Sequence, residues 1–124
     1  MQFSIEFYTN AKGDKPVEKF LRKIRQRNKT LWAQTIKGLE KIKNRQYHRE
    51  PLSKYVAEDL WEIRVRSGTN ILRIIYTFAK GKRIVLLHGF IKKSQKTPRG
   101  EIKIAQKYLR DFQKGKNKYG KNKF

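Results

Sequence analysis

Three runs of residues in close succession share a period of two, and that period leaves few folds open. In "LWEIRVR" (60–66), Trp61, Ile63 and Val65 alternate with Glu62, Arg64 and Arg66. In "ILRIIYTF" (71–78), Leu72, Ile74, Tyr76 and Phe78 share one parity, with Arg73 on the other. "IVLLHGFI" (84–91) is apolar almost throughout, as a central strand covered on both sides would be. Alternation of this kind is the mark of a strand. The joints "SGTN" and "AKGKR" are short and offer Gly68 and Asn70 for turn conformations. The chain is therefore expected to form an antiparallel meander over residues 60–91.

Helical spacing surrounds the meander. "FSIEFY" (3–8) reads as a first short strand. Pro16 then suits a first helical turn, with Val17, Phe20, Leu21 and Ile24 at i, i+3, i+4 and i+7. After "RQRNKT", with Thr30 as the expected N-cap, Trp32, Ile36, Leu39 and Ile42 carry a second stripe over 31–46. Thr97 and Pro98 look like an N-cap and first helical residue, and Glu101 complements the helix dipole. Ile102, Ala105 and Leu109 continue that stripe to about residue 113. The order β-α-α-β-β-β-α implies an α+β fold with helices on one face of an antiparallel sheet. Residues 1–113 form the expected domain. Residues 114–124, containing "GKNKY" and "GKNKF" in tandem, form an expected flexible basic tail, poor in the apolar surface that folding needs.

Charge narrows the partners. Thirty-two Lys and Arg against ten Asp and Glu give a formal net charge of +22. Such an excess repels itself in the compact state and points to a polyanionic partner, nucleic acid first. No basic amphipathic helix with an aromatic face recommends a membrane instead. There is no cysteine, which excludes a disulfide framework, a cysteine nucleophile and a cysteine-based zinc site. The apolar runs are too short to span a bilayer, and the N-terminus lacks the pattern of a secretory signal. A cytoplasmic protein is expected.

Strand parity also sorts the candidate chemistry. Burying Trp61, Ile63, Val65, Leu72, Ile74 and Tyr76 sends Glu62, Arg64, Arg66 and Arg73 to the opposite face. Lys92, Lys93 and Lys96 follow at the exit of the third run, near His88. No phosphate-binding glycine loop, His-Glu-x-x-His pair or serine elbow is present. The pairing of His48 with His88 has no ligand pattern around it, so neither metal nor cofactor is expected. Arginine and lysine clusters suit attack of an RNA 2′-hydroxyl on its adjacent phosphate, where fixed cations stabilise the developing charge. A solvated sheet face is the plainer reading of Glu62, Arg64 and Arg66. His88 also fits as a core histidine, Tyr76 as core and His48 as surface.

"LWEIRVRSGTNILRIIY" with "IVLLHGFIKKSQKTPRGEI" resembles the phage-derived Gp49-like, HigB-type branch of the RelE/ParE toxin superfamily, over roughly residues 3–112. The resemblance implies a RelE-like fold and a toxin of a type II toxin–antitoxin pair. It further implies ribosome-dependent, metal-free mRNA cleavage and a cognate HigA-type helix-turn-helix antitoxin. Arg64, Arg73 and Lys93 match the superfamily's basic catalytic positions, with Arg66, Lys92 and Lys96 as further RNA-binding candidates. Glu62 falls where RelE has lysine, so Glu62, His88 or a lysine stand as candidate proton acceptors, and Tyr108 is the candidate for RelE's C-terminal tyrosine. The superfamily also contains gyrase poisons of the ParE type, an alternative open at this point, as is a non-toxic basic nucleic-acid-binding protein.

Overall fold

A computed structural model describes residues 2–123, with side chains to residue 115. Most of the expected tail at 114–124 thus lies outside the described side chains. The elements run β1 (Ser4–Phe7), α1 (Pro16–Arg27), α2 (Lys29–Ile42), a single 3₁₀ turn (Arg45–Tyr47), β2 (Ser53–Ala57), β3 (Leu60–Ser67), β4 (Asn70–Ala79), β5 (Arg83–Lys92) and α3 (Arg99–Lys123). The fold is α+β, and the meander is β3–β4–β5. Five strands line up as β1-β5-β4-β3-β2. The sheet is mixed, because β1 runs parallel to β5 while the other pairs are antiparallel. No helix among the described residues is long and apolar enough to cross a membrane.

Besides the parallel β1–β5 pair in a sheet expected to be antiparallel, further expectations about the fold change. Strand β2 has no counterpart in the sequence reading, because its five residues do not alternate in polarity. Ser53 is buried, Lys54 and Tyr55 are exposed, and a bulge follows Tyr55. The N-cap of α2 is Asn28, whose side chain accepts from the Leu31 amide, so Thr30 lies inside the helix. Most important, the helices do not share one face. The α1–α2 pair covers Ile63, Val65, Leu72, Ile74, Tyr76, Ile84 and Leu86. Helix α3 covers Leu60, Ile75, Val85, Leu87 and Phe90 on the other side, through Ala105 and Leu109.

A bulge in β5 decides what α3 meets. Tyr76 pairs with Leu86 but Ile75 pairs with His88, so Leu87 is an extra residue and the alternation slips by one. His88, Phe90 and Lys92 consequently face α3. Gly89 turns to α1, where a Cβ would lie 2.5 Å from the Phe20 ring. Only glycine lets α1 sit that close to the strand.

Candidate functional site

The register builds three cross-strand rows on the α3 side. Arg66 lies opposite Ile71 and then Lys92, Arg64 opposite Arg73 and then Phe90, and Glu62 opposite Ile75 and then His88. Two guanidiniums directly opposite repel each other, and the row next to them supplies the counter-charge. The Glu62 Oε2 accepts from Arg64 Nε at 2.5 Å and lies 3.6 Å from Arg73 Nε. Its Oε1 accepts from the Thr97 hydroxyl at 2.7 Å. Thr97 therefore spends its hydroxyl on Glu62, and α3 begins at Arg99 without a Thr97 cap.

The same cations hold the turn between β5 and α3. Arg73 Nη2 donates to the carbonyls of Ser94 and Gln95, the latter at 2.8 Å. Arg64 Nη2 donates to the same Gln95 carbonyl at 2.7 Å. Glu62 and Arg73 are both fully buried (0 % exposed). The Arg73 Nε and Nη1 have no hydrogen-bond partner, although the guanidinium carbon sits 6.0 Å from the Phe90 ring centroid. Burial lowers the Arg73 pKa, Glu62 opposes that shift, and Arg64 and Arg66 add to it. The expectation of one open polar face is thus corrected. Glu62 and Arg73 are sealed beneath Ser94–Thr97, where the Thr97 hydroxyl meets Glu62 and two turn carbonyls meet one Arg73 nitrogen, and neither side chain is exposed to an outside ligand in this arrangement.

What remains accessible lies towards the C-terminal ends of β3 and β5 and in the turn after β5. Arg66, Lys92, Lys93 and Lys96 are exposed, and the Arg64 side chain is 15 % exposed. A groove of about 440 Å³ brings Arg64 and Lys96 together with Lys54, Thr97 and Ile102. Lys54 reaches it because β2 pairs Lys54 with Glu62. The sequence reading missed Lys54 along with its strand.

His88 is held elsewhere. Its Nε2 lies 2.7 Å from Glu101 Oε1, and Lys92 Nζ lies 3.6 Å from Glu101 Oε2. Its ring stacks on Phe90 and meets Tyr108 edge-on. Both His88 and Tyr108 line a depression with Lys15, Lys19 and Lys23 of the α1 region, which shares no residue with the Arg64 groove. His48 is not a plain surface residue: its Nε2 lies 2.6 Å from the Ile42 carbonyl, and its ring packs on Phe3 and Phe78. Tyr76 is core, with its hydroxyl 2.5 Å from Ser53 Oγ and its pKa pushed up to about 12 by burial.

A five-stranded mixed sheet with helices on both faces is consistent with the small RelE-like α+β fold. Within that class the chain belongs to the family described as Phage derived protein Gp49-like (DUF891), which its residues 19–110 match. This is a family of RelE- and HigB-like toxins, and membership points to a toxin of the toxin–antitoxin type. No curated protein matches the chain.

Proposed function

We propose that this toxin is a ribosome-dependent endoribonuclease that cuts mRNA by attack of a 2′-hydroxyl on the adjacent phosphate. The observation that carries this reading is the immobilised Arg64. Its Nε is fixed by Glu62 and one Nη by the Gln95 carbonyl, at the base of a groove walled by Lys54 and Lys96. A cation fixed before the substrate arrives needs no reorganisation when charge develops on the phosphate oxygens, and one such donor is worth about 10²–10³ in rate. In the reaction, the 2′-oxygen bonds to phosphorus, the P–O5′ bond breaks, and a proton passes from the 2′-hydroxyl to O5′ through the enzyme. The products are a 2′,3′-cyclic phosphate and a 5′-hydroxyl.

Glu62 is excluded as the proton acceptor by its burial and its two engaged oxygens. Within the groove the ammonium of Lys54 or Lys96 supplies the proton to the leaving O5′. Arg66, Lys92 and Lys93 bind flanking phosphates. Arg73 and Glu62 are positioning residues that hold the turn bearing Lys96, and His88 anchors the first turn of α3 through Glu101. The neutralising partner is a helix-turn-helix antitoxin of the HigA type. Induced expression of the wild type and Arg64→Ala, with mRNA 5′ ends mapped by sequencing, tests the reading. New ends inside translated messages, absent from Arg64→Ala, are expected. Growth arrest with intact mRNA and broken DNA overturns it in favour of a gyrase poison.

A further inference from the structure

Arg64 also lines a second and larger cleft, which shares no other residue with the Lys96 groove. This cleft encloses about 710 Å³, within the range of small-ligand sites. Its apolar lining comes from Leu52, Pro51 and Ile71. Four cations stand around it, Lys41, Arg49, Arg64 and Arg66, against the single carboxylate of Glu50.

The ring in this cleft is Tyr47, and the fold makes little use of it. Tyr8, Tyr55, Tyr76 and Tyr108 each pack on another aromatic ring. Tyr47 packs on none among the described residues, and instead has the Lys41 ammonium 5.7 Å from its centroid. The backbone around it is pinned on both sides. The Asn44 side chain accepts from the Gln46 amide, and His48 is held by the Ile42 carbonyl and wedged between Phe3 and Phe78. A half-buried phenol on a fixed turn, in one cleft with apolar side chains and the Arg64 and Arg66 guanidiniums, suits a flat, apolar-faced, anionic ligand.

We infer that the Tyr47 cleft holds the nucleobase next to the phosphate engaged by Arg64, with Arg66 and Arg49 meeting the following phosphate. The inference rests on the ribonuclease reading for its substrate, single-stranded RNA, and adds a subsite next to that groove, with Arg64 common to both. Stacking on an aromatic side chain tolerates any base and contributes about tenfold or more in affinity. The cleft thus fixes the register of the chain and leaves sequence preference to the edges of the base.

The test uses the full chain, isotope-labelled, with a diadenosine monophosphate carrying a 2′-deoxy sugar on its 5′ side, so that it cannot be cut. Ribose 5-phosphate serves as the sugar-phosphate control. The dinucleotide is expected to bind about tenfold tighter than the control and to shift the Tyr47 ring resonances together with the Arg64 side chain. Tyr47→Phe should retain that advantage and Tyr47→Ala should abolish it. Equal affinity for the two probes on the wild type, or tighter dinucleotide binding with Tyr47 unmoved, overturns the subsite. The wild-type comparison needs no variant to fold. Messenger RNA cleaved in cells by a protein that fails this test leaves the ribonuclease reading standing and removes the base site alone.

Discussion

Replacing Glu62 with glutamine is the sharpest perturbation of the buried lock. The side chain keeps its volume but loses its charge, leaving the Arg73 guanidinium buried without a counter-ion and opposite Arg64. Removing one partner of a buried pair costs about 3–5 kcal/mol. The lower end applies here, because the Arg73 contact at 3.6 Å is longer than a hydrogen bond and Arg64 retains some solvent. Unfolding entropy near 2.1 cal/mol/K per residue makes each kcal/mol worth about 4 °C for a chain of this length. A loss of about 3 kcal/mol should therefore lower Tm by about 12 °C, measured by circular dichroism at neutral pH. The double variant Glu62→Gln/Arg73→Met removes the stranded charge and should recover at least about half of that loss, since an apolar replacement of a whole buried pair is often neutral. Growth arrest should stay lost in the double variant, where the Arg73 bonds to the turn carrying Lys96 are gone. A Glu62→Gln protein melting within about 2 °C of the wild type, or a double variant no more stable than the single one, would refute this account of the lock.

Two further outcomes test the packing and one the surface. Burial raises the Tyr76 pKa from 10.0 to about 12, so the folded state holds this proton more tightly than the unfolded state does. The stabilisation is complete below pH 10 and is lost between pH 10 and 12, so the wild type should lose more stability over that window than Tyr76→Phe does in parallel melts. Gly89→Ala, which puts a methyl into the Phe20 ring, should destabilise by about 1–3 kcal/mol, and Phe20→Leu in the same chain should restore part of it. Lys96→Gln and Arg66→Gln should each reduce the salt slope of single-stranded RNA binding by about 0.7, the value for one lost phosphate contact; an unchanged slope would take that residue out of the interface.

The meander was legible because alternation survives wherever one sheet face is buried more deeply than the other. Trp61, Ile63 and Val65 announced the face under α1 and α2. The second face was less visible, although Ile71 and Ile75 are apolar at the parity of Arg73 and already indicate cover there. Reading that parity as polar because it holds Glu62, Arg64 and Arg73 led to the expectation of an open surface. The bulge at Leu87 was not legible at all, since a one-residue slip in a run of apolar residues leaves no trace in the pattern, yet it turns His88 to α3. Lys54 and Tyr47 escaped for a related reason: their strand and turn are short, and only the register beside Glu62 and the pinned 3₁₀ turn give them a place in the groove and cleft. The cationic character of the Arg64 and Lys96 region was plain from sequence. Which of its cations are accessible was a matter of three-dimensional cover.

The chemistry of the cut ends tests the central claim most directly. Translating ribosomes programmed with a defined mRNA and treated with the purified protein should yield upstream fragments ending in a 2′,3′-cyclic phosphate and downstream fragments beginning with a 5′-hydroxyl. A single 2′-deoxy residue at the cut position should block cleavage there. Fragments with 5′-phosphate ends, cleavage that ignores the missing 2′-hydroxyl, or an intact message would contradict the proposed role of the Arg64 groove.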